Sequence, residues 1–122
     1  MQLLAGWVSA AQHTLEIAIY DVRLPDPVGP VLFDALTGAA KRGVAVRLAY
    51  NYEEDEHPVP VPPPPKTEPG LIDSLPFPTA RIPGVPDLMH HKYIVRDQAA
   101  VWTGSTNWTV DSWTREENVI LT

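Results

Sequence analysis

Two residues near position 90 carry the groups needed to break a phosphate ester. The segment MHHKYIV places His90 two residues before Lys92. Alternate side chains of a strand share one face, so we expect His90 and Lys92 to point together, with His91 and Tyr93 on the other face. A neutral imidazole can attack phosphorus, and an ammonium group can neutralise the non-bridging oxygens. The pair therefore predicts a phosphate-ester site.

Residues that follow the pair add groups of the same kind. Asn107 can donate its amide hydrogens to phosphate oxygens, and the backbone at Gly104 and Ser105 can approach closely because glycine has no Cβ atom. Glu117 lies one short element later, where a carboxylate can hold an imidazole in the required tautomer. Each group is a weak signal alone, but together they indicate one site.

In this region the chain resembles the phospholipase D superfamily. The superfamily signature is His-x-Lys, four residues, Asp, six residues and Gly-Ser/Thr-x-Asn. The residues that match it without a gap are His90, Lys92, Asp97, Gly104, Ser105 and Asn107. A Glu-Asn pair about ten residues later is also usual, and Glu117-Asn118 matches it. The segments AIYDVR and KRGVAVRLAYN look like the start of the same domain.

The resemblance implies both a fold and a mechanism. The fold is of the α/β class, an α/β/α layered domain with a mixed β-sheet. The mechanism needs no metal and no organic cofactor, and it passes through a covalent phosphohistidine. By this resemblance His90 is the nucleophile or general acid/base, while Lys92 and Asn107 bind the phosphate.

The resemblance also gives supporting roles to three further residues. Glu117 supports a histidine, and Ser105 is an accessory substrate contact. Asp97 belongs to the catalytic signature, although its place at a predicted turn suggests a structural or charge-balancing role. His91 is expected to have no chemical role.

The implied chemistry needs two copies of the motif, and this chain has one. The second copy comes either from the other subunit of a homodimer or from a missing C-terminal half. The end of the sequence directly after Asn118–Leu121 slightly favours the second alternative. In a dimer, the twofold interface must bring two His90 side chains within a few ångströms of each other.

The first expectation for the substrate is a phosphatidyl ester, hydrolysed or transferred in lipid degradation. A net charge of −6 disfavours long duplexes, whose binding depends on neutralising backbone charge. Apolar residues in the centre of the chain offer contacts to a lipid surface: Leu71, Ile72, Leu75, Phe77 and Ile82. A nuclease or cyclic phosphodiesterase stays open, because a local site needs only Lys92, Asn107 and Arg96. A catalytically idle scaffold is the third alternative.

Residues 1–52 are expected to form an α/β block that supports the site. Apolar residues recur at helical spacing from Leu3 to Ala11, and Thr14 to Tyr20 alternates as a strand does. A second helix spans Val31 to Ala39 and ends at Gly43, before a second strand from Val44 to Tyr50. This order implies a parallel pair of strands joined by a right-handed crossover.

Residues 89–122 are expected to form the block that carries the motif. His91 to Val95 and Ala99 to Thr103 read as a hairpin that turns at Asp97-Gln98. One helical turn at Thr109–Thr114 and a last strand at Asn118–Leu121 follow.

Residues 53–88 are interpreted as an acidic and then proline-rich connector within a single domain, 1–122. Eleven of the 14 prolines lie between Pro58 and Pro86, which predicts no regular structure there and a polyproline segment around Pro62–Pro65. A spacer is the simplest role, and a rim or lid over the site is the alternative.

Other residues near the motif have open roles. Trp102, Trp108 and Trp113 are expected to pack rather than to stack on bases. Tyr50 and Asn51 lie at the carboxyl end of a strand, where α/β sheets commonly bind ligands.

The composition excludes several classes of protein. The absence of cysteine removes disulfides, thiolate metal sites and a thiol nucleophile. No apolar run approaches the roughly 20 residues of a membrane helix, so we expect no stable membrane insertion. The localisation stays open, with a soluble protein in the cytoplasm slightly preferred.

Overall fold

Helices and strands alternate along the chain. The computed structural model describes residues 1–23, 27, 29–52, 67–84 and 88–122. The helices found in these ranges are α1 (Gln2–Ser9), α2 (Gly29–Lys41), α3 (Pro69–Asp73) and α4 (Val110–Thr114). The strands are β1 (Thr14–Ile19), β2 (Ala45–Tyr52), β3 (Thr79–Pro83), β4 (Lys92–Arg96), β5 (Ala100–Gly104) and β6 (Ile120–Leu121).

The strands form one mixed sheet in the order β3-β2-β1-β4-β5-β6. β1 is parallel to β2 and β2 to β3, whereas β4 is antiparallel to β1, β5 to β4 and β6 to β5. The predicted α/β class, the mixed sheet and the parallel pair around the second helix are confirmed. β1 pairs directly with β4, so the two predicted blocks join through these strands.

One face of the sheet carries the hydrophobic core. Leu15, Ile17 and Ile19 alternate along β1 and are almost fully buried, as the period of two requires. Apolar side chains of α1 and α2 belong to the same cluster: Leu4, Val8, Leu32 and Leu36. On the opposite face Glu16 and Arg47 form an ion pair of 2.6 Å. The hydrophobic pattern of β1 therefore decides which face the helices cover.

Two predicted turns have the backbone geometry that their positions require. Asp97 has a φ of 53° and Gln98 a φ of 55°, the positive values of the turn that closes a tight hairpin. Gly43 has a φ of 93° and ends α2 in the left-handed region, where glycine carries no Cβ penalty. The hairpin and the helix end are confirmed. The last strand is shorter than predicted and comprises Ile120–Leu121.

The prediction that Pro58 to Pro86 holds no regular structure is wrong, because α3 and β3 lie within it. Pro69 is the first residue of α3, where a missing N–H group leaves no helical hydrogen bond unmade. Among the described strands β3 lies at the sheet edge and pairs with β2, so Pro83 at its end is tolerated. The acidic run and the polyproline segment at Pro62–Pro65 lie outside the described residues. The assignment of the whole chain to a single domain stays a prediction.

Four side chains connect the segment that holds α3 and β3 to the rest of the sheet. We call them the Asp73 cluster: Tyr50, Asp73, Thr79 and Arg81. The Asp73 carboxylate accepts hydrogen bonds from the Tyr50 hydroxyl at 2.9 Å, the Thr79 hydroxyl at 2.8 Å and Arg81 Nε at 2.9 Å. Burial and the hydrogen bond to Asp73 raise the pKa of Tyr50 to about 12, so its hydroxyl stays a donor. Burial raises the pKa of Asp73, but these three hydrogen bonds lower it overall. The Asp73 cluster therefore links α3 to β2 and β3.

Candidate active site

His90 and Lys92 lie side by side at the start of β4. Lys92 is the first residue of the strand, and His90 precedes the strand. The Tyr20 ring contacts both of them: its centroid is 4.6 Å from that of the His90 ring and 5.0 Å from Lys92 Nζ. His91 instead packs edge-on against Tyr93, at 5.8 Å. The predicted alternation of these four side chains is confirmed.

The surroundings of His90 favour its neutral form. Partial burial lowers the pKa of the imidazole, and the positive charge of Lys92 and then His91 lower it further. Burial also lowers the pKa of the Lys92 ammonium, which the carboxylate of Asp21 opposes. A neutral imidazole beside an ammonium group is the combination that attack on a phosphate ester needs.

The loop that carries Asn107 lies against Lys92. Residues of β4 and of this loop line one small cavity, among them Lys92, Thr106 and Trp108. The Asn107 carbonyl oxygen accepts a hydrogen bond of 2.9 Å from Trp113 Nε1, whereas its buried Oδ1 has no hydrogen-bond partner among the described residues. The loop backbone is thus fixed, and the amide oxygen of Asn107 is not committed to a structural contact.

Gly104 begins this loop at a position that only glycine tolerates. Its φ is 153°, and a Cβ atom there would collide with the backbone oxygen of Val119. Ser105 continues the contact, since its N–H group donates to the Val119 carbonyl at 3.0 Å. The signature glycine therefore lets β6 approach the loop.

A segment that the sequence did not single out for chemistry completes the surroundings. Trp108 N–H donates to the Asp21 carbonyl at 2.9 Å, and Arg23 N–H donates to the Trp108 carbonyl at 3.1 Å. Asp21 is buried and forms an ion pair of 2.9 Å with Arg23. The only sequence signal for Tyr20, Asp21 and Arg23 was the segment AIYDVR, in which they stand at the end of a predicted strand or directly after it. Tyr20, Asp21 and Arg23 were therefore missed.

Asp97 lies at the far end of β4 from His90. Its carboxylate accepts hydrogen bonds from the backbone N–H groups of Thr14 at 2.9 Å, His13 at 2.6 Å and Gln12 at 3.0 Å. The bonds from Thr14 and then His13 are the main reason that the pKa of Asp97 is lowered. These contacts join the hairpin to the start of β1, so Asp97 is not brought together with His90.

The two remaining signature residues differ in their surroundings. Ser105 Oγ donates to Asn118 Oδ1 at 2.6 Å and accepts from Val119 N–H at 3.1 Å. Glu117 is exposed, and among the described residues it forms no hydrogen bond with His90. The neighbouring Glu116 is the carboxylate that accepts from Ser112, at 2.8 Å. The roles of Ser105 and Glu117 stay predictions.

Comparison with known proteins gives this arrangement a family. The family model described as "Cardiolipin synthase, PLD-like domain" matches residues 7–122. The chain belongs to this PLD-like family. No curated protein sequence gives a significant match.

Two solved structures share the fold. One is Nuc from Salmonella typhimurium, a phospholipase D family member. It is 22% identical, with a TM-score of 0.71 over 97% of this chain and 70% of that chain. NucT from Helicobacter pylori is 23% identical, with a TM-score of 0.68 over 97% of this chain and 72% of that chain. The superfamily resemblance drawn from the sequence is confirmed, and family membership supports phosphodiesterase chemistry in general terms.

Other residues considered for the PLD-like site serve the core. Arg96 NH1 donates to the Trp7 carbonyl at 2.7 Å and its guanidinium lies 4.3 Å from the centroid of the Trp7 ring, so it does not contact the site. Tyr50 is fully buried and bonded to Asp73. Asn51 is fully buried too, and within the described ranges neither of its amide atoms forms a hydrogen bond. The expected packing role of the tryptophans is confirmed: Trp102, Trp108 and Trp113.

Two features of the described residues concern metals and membranes. No group of three or more His, Cys, Asp or Glu side chains is placed to hold a metal ion there. None of the described helices has the length and apolar character required to cross a bilayer.

Proposed function

We propose that this PLD-like chain is a phosphodiesterase that works through a covalent phosphohistidine. One observation carries the proposal. The His90 imidazole and the Lys92 ammonium contact the same ring of Tyr20, beside the loop that bears Asn107. In this proposal His90 is the nucleophile or general acid/base, and Lys92 and Asn107 bind the non-bridging oxygens.

The proposed reaction has two displacements at phosphorus. A nitrogen of one motif histidine forms a P–N bond while the bond to the leaving alcohol breaks. The histidine of the second motif gives its proton to that alcohol. Water, or an acceptor alcohol, then loses its proton to the second histidine and attacks phosphorus, which breaks the P–N bond. The lowered pKa of His90 supports this scheme because it keeps the attacking imidazole neutral.

The second motif is proposed to come from a homodimer mate or from a C-terminal half beyond this sequence. The presence of one His-x-Lys motif in 122 residues supports both alternatives. Light scattering during gel filtration gives the mass of the active species. Substantial activity in a monodisperse monomer of this chain would contradict a shared site.

We propose a phosphatidyl ester as the substrate. The acidic net charge and the family description, which names a cardiolipin synthase domain, support a lipid. Leu88, two residues before His90, has 47% of its surface exposed and offers an apolar contact at the site. The expected lipid-facing role of the central apolar residues is wrong for Ile72, which is buried in the core, and stays a prediction for Leu75 and Phe77, which are partly buried.

Nucleic acid is the second candidate. The two structural relatives carry the names Nuc and NucT. Near the motif Lys92 is a cation that favours a phosphate contact, whereas the half-buried Arg23 is already paired with Asp21.

A parallel assay separates these possibilities. Alcohol release from phosphatidylcholine vesicles is measured beside cleavage of bis(p-nitrophenyl) phosphate and of single-stranded DNA, each with EDTA. We expect alcohol release in EDTA, abolished by His90→Asn. His91→Asn is the matched control and should retain activity, because His91 faces Tyr93 on the other side.

Each other outcome has a defined meaning. Cleavage of DNA without alcohol release would identify nucleic acid, and not a phosphatidyl ester, as the substrate. Loss of all activity in EDTA would overturn the metal-free mechanism. An inactive purified dimer would leave the idle scaffold as the function.

A further inference from the structure

Tyr20 lies where β1 and β4 bring the two blocks together. It follows directly after Ile19, the last residue of β1, and Ile19 is the register partner of Lys92. The Tyr20 ring meets the His90 ring at 65°, the edge-to-face arrangement that aromatic pairs favour. Lys92 Nζ approaches the same ring and also donates to the His90 carbonyl at 3.0 Å. The Tyr20 ring thus contacts the His90 ring and the Lys92 ammonium, and Lys92 also binds the backbone of His90.

His90 needs such a contact because the sheet does not hold it. β4 begins at Lys92, so the backbone of His90 lies outside the strand ladder, and the side chain is exposed. A reactive group must nevertheless be held within a fraction of an ångström of its productive position. Among the described residues, the Tyr20 ring contacts the imidazole itself, whereas the Lys92 side chain binds the His90 backbone through its carbonyl.

An aromatic ring suits this task better than a carboxylate would. The ring attracts the ammonium group through its quadrupole but carries no net charge. The ring therefore does not cancel the positive charge that Lys92 can offer to a phosphate oxygen. A carboxylate at the same distance would neutralise the ammonium and repel the substrate.

We propose that Tyr20 is a positioning residue, whose ring holds the His90 imidazole and the Lys92 ammonium together before the phosphodiester binds. This proposal rests on the proposed phosphodiesterase function. It adds a residue outside the His-x-Lys motif, supplied by the first block of the chain.

The test compares three variants. Tyr20→Leu removes the ring, Tyr20→Phe keeps it, and Tyr93→Leu removes the ring that packs on His91 on the opposite face. On bis(p-nitrophenyl) phosphate, Tyr20→Leu should lower kcat/KM roughly 10-fold or more, the scale expected for a misplaced reacting group. The kcat/KM of Tyr20→Phe should lie closer to the wild-type value than that of Tyr20→Leu does. The kcat/KM of Tyr93→Leu should fall little.

A second readout does not depend on activity. Histidine NMR titration follows the pKa of His90, which burial, Lys92 and His91 lower in the wild type, with Asp21 facing Lys92. Tyr20→Leu exposes the imidazole and frees the ammonium, so the pKa of His90 should rise towards its ordinary value. Tyr93→Leu should leave it unchanged.

The outcomes separate this proposal from the proposed function. If the wild type cleaves no phosphodiester, the function fails and the titration alone decides the role of Tyr20. An unchanged His90 titration in folded Tyr20→Leu, or an equal effect of Tyr93→Leu, would overturn the proposal. If Tyr20→Leu does not fold, the test instead measures ring-current shifts of the Lys92 methylene protons in the wild type. The absence of such shifts would overturn the proposal.

Discussion

The hydroxyl group of Tyr50 should make a measurable contribution to stability through the Asp73 cluster. The hydroxyl donates to Asp73 at 2.9 Å, and the Tyr50 side chain is fully buried. A hydrogen bond to a charged acceptor contributes about 1.5 to 3 kcal/mol to the free energy of unfolding. Tyr50→Phe keeps the ring, and Asp73 keeps the bonds from Thr79 and Arg81. We therefore expect a loss near the lower value, about 1.5 kcal/mol at pH 7.

The raised pKa of Tyr50 predicts how this contribution changes in alkali. The ordinary pKa is 10.0, and in the folded protein it is about 12. Below pH 10 both the folded and the unfolded state keep the proton. Between pH 10 and pH 12 the unfolded state ionises first, so stability falls as the pH rises. At pH 11 the wild type should have lost about 1.4 kcal/mol through Tyr50 alone, the value of one pKa unit.

Urea unfolding followed by circular dichroism measures both effects. The free energies of unfolding of the wild type and Tyr50→Phe are compared at pH 7 and pH 11, where the difference should shrink to nearly zero. Tyr93→Phe is the control, because Tyr93 is partly exposed on the other face of the sheet. A difference that stays constant between the two pH values, or an equal loss in Tyr93→Phe, would refute the reasoning.

Three further predictions concern the hairpin, the loop and the reactive histidine. Asp97→Ala should lower the melting temperature more than Asp34→Ala does, because three backbone N–H groups lose their acceptor. Asp34 lies on the exposed surface of α2 and serves as the control, and calorimetry compares the two variants. Gly104→Ala should reduce the hydrogen-exchange protection of β6, because its Cβ atom would collide with Val119. The acid limb of the pH–rate profile should have its midpoint below 6.5, because neutral His90 reacts and its pKa is lowered; a midpoint above 6.5 contradicts this assignment.

Most elements of the fold were predictable because their hydrophobic periods are local. Leu15, Ile17 and Ile19 alternate within six residues, and the turn at Asp97-Gln98 needs only residues that tolerate a positive φ. These signals do not depend on distant parts of the chain. The strands β1, β2, β4 and β5 were therefore found within one or two residues of their ends.

The helix α3 and the strand β3 were missed because proline was read as a break wherever it occurs. Its effect depends on position: Pro69 begins a helix, and Pro83 ends an edge strand. Whether a strand lies at an edge is a property of the whole sheet. Likewise, the contacts of Asp73 with Tyr50 span 23 residues, and no local pattern indicates them.

Only the part of the candidate site that lies in the motif segment was predictable from the sequence. His90, Lys92 and Asn107 share one continuous segment, so their spacing can be recognised in the sequence. Tyr20 and Asp21 come from the first block and reach the site through the pairing of β1 with β4. The register of that pairing decides which residue stands beside Lys92, and register is fixed by the folded sheet.

The same register explains why the motif keeps four residues between Lys92 and Asp97. Ile19 pairs with Lys92 at one end of β1, and Thr14 lies at the other end, where Asp97 holds its N–H group. A shift of one residue would turn the Lys92 side chain to the opposite face of the sheet, away from Tyr20. We therefore expect Asp97 to support the chemistry although it does not touch His90, because its hydrogen bonds join β4 to the start of β1. The four-residue spacing corresponds to the part of β4 that separates the end proposed to react from the end held by Asp97.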